Sequence, residues 1–248
     1  MSFLGCLFPT PSTSSVPGLV TRLFRPHVEL PADVARRLCA WQALPRLNER
    51  TALNTARFVV VDVETSGLDP RRDRLLAIGA VVVEAGRLRP GEGYDVTVHN
   101  PVPSARANIL VHGISPDAQT AGLAADAALM GFLELARHDV LVAYHAGFDQ
   151  RVLDRAVRTQ LGVRLPNLWL DIAHLAPVLV PGARTGYRNL DDWLAHFGLR
   201  AHSRHNAAYD AYATAELLLI LLSRATRAGH ASVSQLLAAG ERQARFLS

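Results

Sequence analysis

The chain has no lysine. All 26 of its basic residues are arginine, a side chain that stays charged and can grip phosphate through two parallel hydrogen bonds. Cysteine is nearly absent. Cys6 and Cys39 alone make neither a disulfide framework nor a zinc ligand set, and they fit a reducing cytoplasm. No apolar run approaches the ~18 residues of a membrane span, so no membrane partner is expected. The apolar start, Met1 to Pro9, has no positive region and no small-residue cleavage site, which argues against a secretory leader. No internal repeat is visible. At 248 residues and 49% hydrophobic, the sequence suits one large soluble domain, or one domain with an extension.

Charge is unevenly placed. Residues 1–57 hold seven arginines against Glu29, Asp33 and Glu49, a net of +4, while residues 58–248 hold nineteen charges of each sign. Pro9 to Gly18 has linker composition. From Pro31 a helix is predicted with Val34, Leu38 and Trp41 on its apolar face, ended by Pro45. Residues 1–57 thus read as an extension with Trp41 as its anchor, and residues 58–248 as the main domain. The arginines of the extension, among them Arg22, Arg25, Arg36 and Arg37, either grip a polyanion or are merely solvated.

The main domain opens with three predicted strands, at 58–64, 74–84 and 94–98, the first broken by Thr65-Ser66-Gly67 and the second and third joined by an Ala85-Gly86 hairpin turn. Pro101 and Pro103 begin a loop that runs to Ile114. Helices are expected at 123–138, 149–161, 189–197, 210–223 and 232–246, with a buried strand at 140–143 and a short one at 168–171. Early strands with tight links, followed by alternating helix and strand, predict an α/β fold with a mixed sheet flanked by helices.

One stretch stands out, Phe58-Val59-Val60-Val61-Asp62-Val63-Glu64-Thr65-Ser66-Gly67-Leu68. Asp62 and Glu64 interrupt a β-branched run. Side chains at i and i+2 share a face of a strand, at a spacing of roughly 6–7 Å. Two bare carboxylates there repel and resist desolvation, and a hard divalent cation between them removes the conflict. Alone, an Asp-x-Glu is more often an exposed strand face. Asp149, in Tyr144-His145-Ala146-Gly147-Phe148-Asp149, opens a helix, where an acid is ordinary. Asp210, five residues after His205, does the same.

Together these pieces are far more specific than each alone. Asp-x-Glu-Thr-Ser-Gly-Leu, then Phe-Asp, then His-x-Ala-x-x-Asp-Ala resembles the DEDD superfamily of 3′-5′ exonucleases, in the branch that carries a histidine. The proofreading subunit of bacterial DNA polymerase III and ribonuclease T belong to it. The resemblance covers about residues 57–222. It implies a ribonuclease H-like fold with a mixed five-stranded sheet, and two Mg²⁺ ions, for which Mn²⁺ can substitute, held by Asp62, Glu64, Asp149 and Asp210. It implies His205 as general base, single-stranded 3′ ends (DNA favoured) as partner, and nucleoside 5′-monophosphates as product. Thr65 and Leu68 would meet the terminal nucleotide. Phe148 and His112 are further candidates for substrate contact, each weighed against a core or loop role.

One departure from the family pattern is Tyr144-His145, where relatives usually carry His-Asn, so substrate contacts near Asp149 are open. The rival expectations are an RNA-trimming exoribonuclease and a non-catalytic interaction module. The intact set of acids and histidine disfavours the latter. Repair or turnover is expected ahead of proofreading, because the extra segment is N-terminal. In the proofreading relative the polymerase-binding segment follows the nuclease domain.

Overall fold

Arg57-Phe58-Val59-Val60-Val61 is buried on both faces because it forms the middle strand of the sheet, β1 (Arg57–Thr65). A computed structural model describes residues 28–183, 186–187, 189–200 and 205–247. Pro9 to Gly18, Arg22 and Arg25 therefore lie outside the described residues. The sheet runs β3-β2-β1-β4-β5. β2 (Leu75–Glu84) is antiparallel to β1 and to β3 (Arg87–Thr97), while β4 (Val140–Ala143) and β5 (Trp169–Asp171) extend it in parallel. The mixed five-stranded α/β sheet expected from the sequence is the one observed.

Ala85 (φ 51°) and Gly86 (φ 70°) make the turn between β2 and β3, with both central residues left-handed as a primed hairpin turn requires. β3 begins at Arg87, earlier than expected. Pro90 and Gly91 interrupt its alternation, and the register jumps from Val81↔Gly93 to Val82↔Arg89. A proline is tolerated there because β3 is an edge strand with a bulge.

The sheet separates two apolar layers. On one face α1 (Ala32–Gln42), α4 (Ala125–Ala136) and α5 (Gly147–Leu161) cover Val59, Val61 and Val63. On the other, α6 (Ile172–Leu179), α7 (Leu190–His196), α8 (Ala207–Arg227) and α9 (Val233–Leu247) cover Phe58, Val60, Val81 and Val83. This alternation along β1 is the period-2 signature of a strand between two cores. The sequence missed three short helices, α2 (Arg106–His112), α3 (Pro116–Ala121) and α6. The first falls inside the segment expected to be loop. The other two depend on caps more than on periodicity, Ser115 with Pro116 for α3 and the Asp171 carboxylate for α6.

α1 packs on α4. Val34, Leu38 and Trp41 are buried, the Trp41 Nε1–H donates to the Arg137 carbonyl at 3.1 Å, and Arg37 forks onto Glu134 at 2.8 and 2.7 Å. Among the described residues no helix is long and apolar enough to cross a membrane.

Candidate active site

The C-terminal end of β1 is where the sheet opens. β4 pairs with β1 only from Phe58↔Val140 to Val60↔Val142, so the backbone beyond Val60 is free of that neighbour. Asp62 and Glu64 lie in this stretch, both half-buried, with Val63 between them buried in the opposite layer. The chain leaves β4 through Tyr144 and His145 and enters α5. Its first turn carries Asp149 back to β1, where Oδ1 accepts the Val63 N–H at 3.2 Å. That bond uses the donor β4 left behind.

Asp210 arrives from the other layer. Its position depends on Gly79, which pairs with Asp62 across β1 and β2. A Cβ on Gly79 would lie 2.0 Å from the Ala207 backbone carbon. Only glycine lets the start of α8 press this closely on the strand. Asp210 sits one turn further along α8, and ligand oxygens of Asp62, Glu64 and Asp210 all lie within 4.8 Å of one another. Asn206 caps the helix by accepting the Tyr209 N–H at 3.1 Å, and the His205 N–H donates to Asp210 Oδ2 at 3.1 Å. His205 is exposed and left-handed at φ 60°.

Three convergent carboxylates are a hard oxygen donor set, matched to a cation such as Mg²⁺ or Mn²⁺. Asp149 and Asp210 are both buried, at 4% and 6% exposure. Burial pushes the Asp149 carboxyl up to about 8, with the charges of Asp171 and Glu64 adding to the effect. A cation beside it would reverse that preference and restore the carboxylate.

The loop after β1 is built around Asp73. Its carboxylate accepts from Ser66 Oγ at 3.2 Å and the Asp69 N–H at 2.7 Å. A side chain at Gly67 would collide with that carboxylate, at 2.5 Å. Arg155 of α5 donates to the Arg71 carbonyl at 2.9 Å and to the Asp73 carbonyl. Thr65 Oγ1 donates to the Gly67 carbonyl at 2.6 Å, and Leu68 is left 91% exposed at the tip. Asn108 of α2 donates to the Ser66 carbonyl, tying that helix to the loop.

His112 and Phe148 are placed differently. His112 is buried, its Nδ1 accepts the Ile114 N–H at 3.0 Å, and Nε2 faces Ser104 Oγ at 3.2 Å. Both ring nitrogens are thus engaged within the 104–114 segment, and burial lowers its basicity. Phe148 packs on the α1–α4–α5 core layer. Residues the sequence reading passed over are Gly79, Asp73, Asn108 and Asp171. Asp171, at the end of β5, accepts the N–H groups of His145 at 3.1 Å and Ala173 at 2.9 Å. Two signals were visible: a glycine inside a run of branched strand residues, and a second acid closing an apolar strand.

The same segment is similar to known proteins. A DNA polymerase III PolC-type protein of Thermotoga maritima is 26% identical over 190 residues, covering 77% of this chain and 14% of that protein. A DNA polymerase III subunit epsilon-like protein of Rhodobacter capsulatus is 37% identical over 176 residues, covering 69% of this chain and 24% of its own length. The chain thus spans from about a seventh to a quarter of these relatives. Among solved structures, E. coli Exonuclease I in complex with a dA16 oligonucleotide superposes with a TM-score of 0.60 at 19% identity, over 70% of this chain and 42% of that one. The likeness shows a shared ribonuclease H-like fold. The sequence model of the exonuclease family RNase_T matches residues 59–218, which contain all four acids and His205, and the chain belongs to that family, in its histidine-bearing DEDD branch.

Proposed function

We propose that the protein is a metal-dependent 3′-5′ exonuclease that removes nucleoside 5′-monophosphates from single-stranded 3′ ends, with DNA favoured over RNA. The observation that carries this reading is the convergence of Asp62, Glu64 and Asp210 within 4.8 Å at the open end of β1. Asp62, Glu64 and Asp210 would hold one Mg²⁺ and Asp62, supported by Asp149, a second, with Mn²⁺ able to substitute. Such a pair supplies Lewis acidity at the phosphodiester and an acidified attacking water.

The chain's own residues do the rest. His205 takes the proton from the attacking water. Its backbone is tethered to Asp210 Oδ2, and imidazole as a side-chain type exchanges protons near neutral pH. Asp149 braces β1 between the two strand acids through Val63. Leu68, exposed at the tip of a loop fixed by Asp73 and Arg155, offers an apolar surface to the terminal base, and Thr65 offers backbone groups beside it.

The test is a 5′-labelled oligonucleotide, as DNA and as RNA of one sequence, incubated with the protein in Mg²⁺ or in EDTA. The reading expects a ladder shortening from the 3′ end, in Mg²⁺ only and faster on DNA. Internal cuts or hydrolysis in EDTA would overturn it. The polymerase names of the relatives favour a second reading, excision at a polymerase's growing end. Faster removal of a mismatched than a matched primer terminus would support it.

A further inference from the structure

Outside the carboxylate cluster, a groove of about 510 Å³ runs along the outer face of α5. Arg151, Asp154 and Arg158 from α5, with Arg164 from the segment before β5 and Trp169 at the start of β5, form its walls. Positions 151, 154 and 158 recur at helical spacing and share one stripe. Arg158 is paired with Asp154 at 2.8 Å, so three arginines and one acid leave the groove a net +2. Arg164 also lines a second cavity of about 300 Å³, whose far wall includes Arg46. Arg164 thus joins the two cavities, and arginines 151, 158, 164 and 46 make a basic track that reaches the N-terminal segment.

The track starts at the head of α5, the helix that carries Asp149 in its first turn. Arg151 lies on the side of the helix away from Asp149, and its Nη1 lies 3.4 Å from where a Cβ of Gly147, the first residue of α5, would be. From Asp149 to Arg158 the helix advances ~14 Å at ~1.5 Å per residue. That is the length of about four nucleotides of a stacked strand at ~3.4 Å each. Trp169 is half-buried and offers an aromatic edge, and an arginine-lined channel with an aromatic wall is the usual chemistry for holding a single strand without reading its sequence.

We infer that this groove binds the phosphate backbone of the strand upstream of the 3′ end, with Arg151 and Arg164 as the principal contacts. The inference rests on the exonuclease reading for the direction of the strand, but not for its test. Binding is measured in EDTA by fluorescence anisotropy, with the full chain and a labelled single-stranded DNA 20-mer, across a series of salt concentrations. For the Arg151→Gln/Arg164→Gln double variant, weaker binding is expected, with a salt slope shallower by ~1.4, at ~0.7 for each single-strand phosphate no longer neutralised. Asp154→Asn removes the groove's one acid and should tighten binding, a gain that damage to the fold would not produce. An unchanged slope in the double variant, or no gain in Asp154→Asn, overturns the groove. A wild type that binds with this slope yet releases no nucleotide in Mg²⁺ would overturn the exonuclease reading and leave the groove standing.

Discussion

The chain reaches the site twice through the same local device, a turn into a helix, and the two junctions differ in what they deliver. At the start of α5, His145 stands at φ 59° four residues before Asp149. At the start of α8, His205 stands at φ 60° five residues before Asp210. Left-handed backbone at a non-glycine residue costs ~1 kcal/mol or more, so each turn has to be held. The His145 N–H is held by Asp171, an acid from a third element, whereas the His205 N–H is held by Asp210 itself. Asp149 is bonded to the Val63 backbone, while Asp210, equally buried, joins Asp62 and Glu64 in the three-acid cluster. Sequence makes the two junctions look alike. Their positions on opposite faces of the sheet bring Asp149 onto the β1 backbone and Asp210 into the three-acid cluster.

Removing a cluster acid should sharpen the contrast most. Asp62→Ala or Asp210→Ala is expected to lower the rate of nucleotide release by several orders of magnitude, and to abolish the rise in melting temperature that Mg²⁺ gives the wild type. Retained hydrolysis in either variant would remove the cluster from the mechanism. Next in size come the histidines. His205→Ala should reduce kcat by ~10²–10⁴ with metal affinity nearly unchanged, and His145→Ala by less than ~10-fold, since that turn is fixed through its backbone. A reversal of that order, read in single-turnover kinetics, would assign the proton to His145.

What was legible beforehand follows the same division. The strand that carries Asp62 and Glu64 announced itself by composition, and α8 and α5 by periodicity. The cores on either side of β1 were readable because each rests on many branched and aliphatic residues. Gly79 was not weighed, because the significance of a missing Cβ lies in what approaches it from 128 residues away in sequence, at Ala207. Asp73 and Asn108 escaped for a similar reason, since their work is hydrogen bonding to backbone across a loop and leaves no periodic trace. His112 stood in a motif suggestive of substrate contact, yet its ring is occupied by Ile114 and Ser104. Motif position does not reveal which way a ring is already committed.

Gly79 offers a test that touches neither histidine nor any acid. In Gly79→Ala the added carbon must displace the start of α8 or the strand beneath it. Overpacking of this kind costs ~1–3 kcal/mol of stability, and a ~1 Å displacement of a reacting group can cost ~10²-fold in rate. The expected pattern is a folded protein with weakened Mg²⁺ binding and slower release, because Asp210 moves with the helix. Asp149 rides on α5, so its bond to Val63 should persist, visible as unchanged exchange protection of the Val63 amide. Equal disturbance of both junctions would show that they are not independent.

The smallest effect isolates Asp149 through pH. In the metal-free protein its carboxyl is pushed up to about 8, against ~3.9 for an unfolded aspartate. Between those values the folded state holds one more proton than the unfolded state, so stability must fall as pH rises, levelling off above the folded value. Burial lowers the basicity of His112 and His138, and these act with the opposite sign. Each costs stability only as pH drops below the ordinary histidine value near ~6.5. The window from ~6.5 to ~8 therefore belongs to Asp149 rather than to the two histidines. In EDTA the melting temperature is expected to fall across it, by on the order of 5 °C. Asp149→Asn, which keeps the shape and cannot ionise, should flatten the curve. Saturating Mg²⁺ should flatten it as well, because a cation favours the carboxylate and its stabilising effect then grows with pH. A metal-free melting temperature that is level or rising over this window in the wild type would mean that Asp149 is already ionised in the fold, and the two junctions would then share one electrostatic role.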